Sequence, residues 1–169
     1  LETAFSSQSK IGSAQMKKVD PVPLLPTFSY SIEFNKPEFV IPKGANAFYV
    51  GPLIQTPNPI YSYLNYSTEE IEGYDVVCSN GYSFEKLNYE FPDNMKIFAK
   101  PDDFEITENY IHFKAEYELQ ENKLNVTRYI DDKTPGNTCS AELLNRQRQT
   151  LIKISESLKM QVLYQSVSE

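Results

Sequence analysis

Apolar and polar residues change their spacing along this chain, and the changes mark out its elements. From Thr27 the period is two: Phe28, Tyr30, Ile32 and Phe34 alternate with Thr27, Ser29, Ser31 and Glu33, which is the pattern of a half-buried strand. Further strand-like stretches follow at Glu38 to Ile41, Ala47 to Val50, Ile60 to Tyr66, Tyr74 to Cys78, Ser83 to Phe91 and Met95 to Phe98. Turn-forming groups separate them: Pro42-Lys43-Gly44, Pro57-Asn58-Pro59, Ser79-Asn80-Gly81 and Pro92-Asp93-Asn94. The clearest pair is Tyr110 to Leu119 and Lys123 to Ile130. Ile111, Phe113, Ala115, Tyr117 and Leu119 share one face of the first, while Leu124, Val126 and Ile130 alternate on the second. With Gln120 to Asn122 as connection, the two form an antiparallel hairpin.

After the breaker Lys133-Thr134-Pro135-Gly136-Asn137 the spacing becomes helical, with Leu144, Leu151, Ile154 and Leu158 on one stripe. Ser140 is placed to cap a helix over 141–159, and Glu142 puts negative charge in its positive first turn. Val162 to Tyr164 adds a last short strand or an extended tail. Residues 1–20 carry scattered apolar positions among Ser, Gln and Lys and read as a short helix or irregular lead-in. Pro21, Pro23 and Pro26 then make an extended linker. The expected fold is therefore mainly β (α+β), an antiparallel β-sandwich or curved sheet with one long C-terminal helix packed on it. Its organisation is a lead-in over 1–26 and a single β-rich domain over 27–169.

Composition fits that plan. The 169 residues are 40% apolar, and the aromatic positions are 12 Tyr and 10 Phe, too hydrophobic a chain for disorder. With 16 Lys and Arg against 23 Asp and Glu the net charge is −7, which argues against capture of nucleic-acid phosphates or anionic lipid. No apolar run is long enough for a membrane-spanning helix, so no membrane insertion is expected. A chain that starts at Leu1 reads as a piece of a longer protein.

Candidate chemistry is sparse. His112 is the single histidine, and Cys78 and Cys139 are the two cysteines. The cysteines are either a disulfide, closing a loop worth about 4 kcal/mol in the chain-entropy model, or two separate buried thiols. Cys139 stands just before the expected helix, where a thiolate is stabilised, so a Cys139/His112 thiol hydrolase is an alternative. Against it, His112 falls on the polar face of its strand with Tyr110, Lys114 and Glu116, and nothing nearby supplies an orienting group or an oxyanion hole. Asp102-Asp103 and Asp131-Asp132 lack the spacing of a calcium loop and read as solvated turn residues. No catalytic residues, metal site or cofactor are assigned. Tyr49, Tyr61, Tyr63, Tyr66, Tyr74 and Tyr82 cluster with Asn46, Asn58, Asn65 and Asn80, and Tyr61, Tyr63, Tyr66 and Tyr74 form the candidate ligand-binding set for a carbohydrate or peptide. The competing reading places those rings at half-buried strand positions.

The segment Tyr89-Glu90-Phe91-Pro92-Asp93-Asn94-Met95-Lys96-Ile97, then Pro101, the hairpin and the helix ending in Met160-Gln161-Val162-Leu163-Tyr164 form an ordered series. Over about residues 27 to 165 it resembles the C-terminal β-rich domain of bacterial transglutaminase-like proteins. Those proteins carry an N-terminal β domain of unknown function and a central papain-like core. The resemblance implies a periplasmic or secreted bacterial protein. It also implies a non-catalytic accessory role in contact with a neighbouring domain or protein. The family's catalytic Cys, His and Asp belong to the central core, and no motif here matches that core.

Overall fold

A computed structural model describes residues 13–19, 30–35, 44–50, 73–78 and 80–166. The chain divides into two compact units, Leu1–Pro42 and Lys43–Glu169. In the first, strand β1 (Ser13–Val19) pairs antiparallel with β2 (Tyr30–Asn35), from Ser13 opposite Asn35 to Val19 opposite Tyr30, with an irregularity between Met16 and Lys18. The helix or irregular lead-in expected over 1–20 is thus corrected to a strand over 13–19. Its Ser, Gln and Lys residues give little local preference, and pairing with β2 supplies the partners that its backbone groups need. The same pairing draws β2 into the first unit, so the division falls after Pro42, whereas the proline run placed it after residue 26. The stretches at 38–41 and 60–66 lie outside the described residues.

Among its described residues the second unit is strand-rich and antiparallel, with one helix near its C-terminus. Four strands form its larger sheet: β5 (Gly81–Glu90), β7 (Phe104–Glu108), β8 (Ile111–Gln120) and β9 (Lys123–Asp132), in the order β5-β9-β8-β7. β8 and β9 are the expected hairpin, in register from Ile111 opposite Asp132 to Gln120 opposite Lys123. β7 joins β8 through Asn109-Tyr110, both at positive φ (50° and 73°), the conformation of a tight two-residue hairpin turn. Tyr110 therefore belongs to the turn instead of starting the strand. Just before β7 begins, the Asp103 carboxylate extends the ladder by accepting the Tyr117 N–H at 2.8 Å, so Asp103 has a structural task beyond that of a solvated turn residue.

The inner face of this sheet carries the core. Ile106, Ile111, Phe113, Ala115, Tyr117, Leu124, Val126 and Ile130 are buried on it, each large side chain contributing on the order of 2 kcal/mol by leaving water. A three-stranded sheet, in the order β3 (Gly44–Tyr49), β11 (Gln161–Ser166), β6 (Met95–Ala99), meets one part of that face. There Phe48 of β3 packs within 6.0 Å, ring centre to ring centre, of Tyr89, Phe91 and Tyr164. The helix α1 (Ala141–Leu158) lies against β7 and β8 and buries Leu151, Ile154 and Leu158. Ser140 caps it, its hydroxyl accepting the Leu143 N–H at 3.3 Å. Two-residue strands β4 (Val76–Val77) and β10 (Thr138–Cys139) pair beside the helix start.

Candidate functional site

Alternation puts Tyr82 and Phe84 of β5, Tyr129 and Asp131 of β9, His112 and Lys114 of β8, and Glu105 and Thr107 of β7 on the outer face of the four-stranded sheet. The pairing forms two rows across the strands. Tyr82, Asp131, His112 and Thr107 make one, and Phe84, Tyr129, Lys114 and Glu105 the next. Tyr82 is 64% exposed and Phe84 53%, although apolar rings on a strand ordinarily turn to the core. Tyr82 stacks on Tyr129 at 6.4 Å, and Tyr129 meets the His112 ring edge-on at 5.0 Å. This corner of the sheet is an aromatic shelf open to solvent.

Polar groups border the shelf. His112 Nε2 lies 2.9 Å from Tyr129 Oη and 3.0 Å from Glu105 Oε1. Lys114 Nζ reaches Glu116 at 2.8 Å and Glu105 at 4.0 Å, and the Glu116 carboxylate beside it holds the ammonium above the usual lysine range. Lys133 Nζ sits 2.9 Å from Asp131. The charges of this face are thus matched largely among themselves, and the surface offers donors and acceptors beside rings.

Behind the shelf, the inner face holds a buried cation. The Arg128 guanidinium, 0% exposed, donates to the Val50 carbonyl, lies 3.3 Å from Glu85 Oε1, and stands 5.9 Å over the Tyr117 ring. Burial pushes the Tyr89 and Tyr117 phenols up, against a smaller opposing pull from Arg128. At the opposite end of the inner face, Gln147 of α1 donates to Thr134 Oγ1 and to the Asn109 carbonyl, both at 2.8 Å. Thr150 donates to Glu108 at 3.0 Å, so polar side chains fix the helix to the β7–β8 turn. These groups tie the inner face of the sheet to the segments packed on it.

The positions singled out by sequence scatter. Cys78 and Cys139 are joined by a disulfide, with their Cα atoms 5.2 Å apart, so Cys139 offers no thiol and His112 is engaged with Tyr129 and Glu105. The Cys139/His112 pair of a thiol hydrolase is not assembled. Tyr61, Tyr63 and Tyr66 lie outside the described residues. Tyr74, in the segment before β4, is 66% exposed. Asn80 spends its amide on the Thr134 and Gly136 carbonyls, so it serves the loop rather than a ligand. Tyr82 carries the tyrosine signal onto the outer face. Phe84, Tyr129 and Glu105 were not marked by the sequence reading, although period-two alternation in β5 puts Phe84 opposite the inward set Glu85, Leu87 and Tyr89. Among the described residues no group of three His, Cys, Asp or Glu side chains stands together for a metal, and no helix is long and apolar enough to cross a membrane.

No protein-family model matches the chain, and no curated protein matches it. Among solved structures, that of a "putative protease" from Parabacteroides distasonis is similar over 72% of this chain, with a TM-score of 0.51 and 11% sequence identity. The likeness is one of fold. The match spans 23% of the length of that protein, so a similar fold is built there as one part of a much longer polypeptide.

Proposed function

We propose that this chain is a non-catalytic accessory domain of a bacterial extracytoplasmic transglutaminase-like protein, and that it acts by contact with a neighbouring domain or protein. The observation that carries this reading is the structural likeness: nearly three quarters of the chain recurs as under a quarter of a larger protein. The chemistry of the residues supports it. Both cysteines are consumed in one disulfide and the single histidine is bonded between a phenol and a carboxylate on an open sheet face, so the imidazole has no thiol to activate. A disulfide between distant segments fits the oxidising compartments outside the cytoplasm. The order of turn, hairpin and helix supports the transglutaminase-like assignment.

The experiment compares the full-length protein, the same protein lacking this chain, and the chain alone. Each is assayed for acyl transfer from a glutamine peptide to an amine and for peptide hydrolysis. The expected result is turnover by the first two and none by the chain alone. Turnover by the isolated chain would end the non-catalytic reading, and absence of any papain-like core in the full-length protein would end the family assignment.

A further inference from the structure

We propose that the aromatic shelf on the outer face of the four-stranded sheet is a binding site for an uncharged polysaccharide, whose sugar rings lie on Tyr82 and Phe84. This goes beyond the accessory role proposed above and is measured without reference to it.

Three features of the shelf select that ligand. First, Tyr82 and Phe84 stand two residues apart on one strand, about 7 Å along it, and both are more than half exposed. Tyr129, across from Phe84, stacks beside Tyr82 at 6.4 Å and carries the aromatic surface onto β9. The apolar faces of pyranose rings pack on such platforms, as other flat apolar groups do. Second, the bordering groups are hydrogen-bonding ones within reach of ring hydroxyls. Asp131 pairs across from Tyr82, and Lys114 pairs across from Tyr129, which itself pairs with Phe84. Third, the charge of this face disfavours an anionic occupant. Lys114 and Lys133 stand beside Glu116 and Asp131 of the same face, and Glu105 is hydrogen-bonded to His112, so the border of the shelf holds no excess of lysines over carboxylates for an acidic ligand. Hydroxyls can share these groups as acceptors and donors. Beyond the shelf the face turns polar, with Lys86, Thr127 and Asn125 on the next rows, so it lacks the continuous apolar centre of a stable protein interface. The buried Arg128–Glu85 layer and the clamped helix make the platform rigid, which limits the ordering cost of binding.

The test uses the oxidised chain of residues 1–169 and the soluble probes cellohexaose, xylohexaose, laminarihexaose and mannohexaose, with polygalacturonate as the anionic control. Isothermal titration is expected to give a Kd between about 10 µM and 1 mM with at least one neutral hexaose, and little effect of raising salt from 50 to 500 mM. Tyr82→Ala and Phe84→Ala should each weaken that binding by tenfold or more. Both side chains are exposed, so the variants should keep the far-ultraviolet circular dichroism and melting temperature of the parent. Tyr74→Ala, exposed in a different segment, should bind as the parent does. Absence of binding to all four neutral probes overturns the proposal. So does binding that survives Tyr82→Ala and Phe84→Ala, or binding confined to polygalacturonate. If sedimentation shows a dimer that these two substitutions disperse, the shelf belongs to a second copy of the chain and the proposal also fails.

Discussion

Arg128 and Glu85 offer the sharpest test of how the sheet is held. Arg128 is fully buried on the inner face, close to Glu85, the Val50 carbonyl and the Tyr117 ring. Removing one member of a buried ion pair leaves the other charge without its counter-charge in a medium that solvates it poorly, which costs about 3–5 kcal/mol. Arg128→Ala and Glu85→Ala should therefore each lower stability by roughly that amount, or about 10–20 °C in melting temperature for a unit of this size. Replacing both at once, as Arg128→Met with Glu85→Leu, removes both desolvation penalties and refills the volume. The double variant should return to within about 2 kcal/mol of the parent. Urea unfolding followed by circular dichroism gives all the values, and a double-mutant cycle with Arg128→Ala and Glu85→Ala isolates the coupling. Single losses below about 1 kcal/mol, or losses that simply add in the Ala/Ala double variant, would refute the reasoning.

Other consequences are separately measurable. The phenols of Tyr89 and Tyr117 titrate above the ordinary value of 10.0 because they are buried. The unfolded chain therefore loses these protons first, and the stability they contribute is complete below pH 10 and falls as pH rises through their folded values; melting curves from pH 8 to 11.5 should show the loss only at the alkaline end. Tyr110 holds a positive φ of 73° while largely exposed, so Tyr110→Gly should raise stability by about 0.5–1 kcal/mol in urea titrations, and a loss would contradict the turn geometry. Breaking the Cys78–Cys139 bond by a double Cys→Ser substitution should cost about 4 kcal/mol for a separation of 61 residues, and thiol titration of the denatured, unreduced parent should find no free thiol. Gln147→Leu, which strips two hydrogen bonds from the helix clamp, should cost about 1–3 kcal/mol in the same unfolding assay.

What could be read in the sequence follows from how local each signal is. The β8–β9 hairpin and α1 were legible because their burial patterns repeat within single elements: Ile111, Phe113, Ala115 and Tyr117 at period two, Leu151, Ile154 and Leu158 at helical spacing. β1, β7 and β10 were not: β1 carries little apolar alternation, β7 is only five residues long, and β10 has two residues and gains its backbone partners from the distant β4. Without β7, the Glu105 partner of His112 had no place. Arg128 occupies a slot of the Leu124, Val126, Ile130 alternation, so its burial was written in the pattern, but a charge at that slot reads as an interruption until Glu85 is set beside it. The aromatic shelf depends on the order β5-β9-β8-β7, which brings residue 82 beside residue 131 and residue 131 beside 112, and no window of sequence contains that adjacency.

The central claim is that this chain works by contact and performs no chemistry of its own. Its most direct test is titration calorimetry of residues 1–169 against the rest of the longer protein that the proposed accessory role requires, with the melting temperature of that remainder followed in parallel. The predicted result is saturable binding at one chain per remainder together with a raised melting temperature. The absence of heat, with a melting temperature unmoved by an excess of the chain, would contradict it.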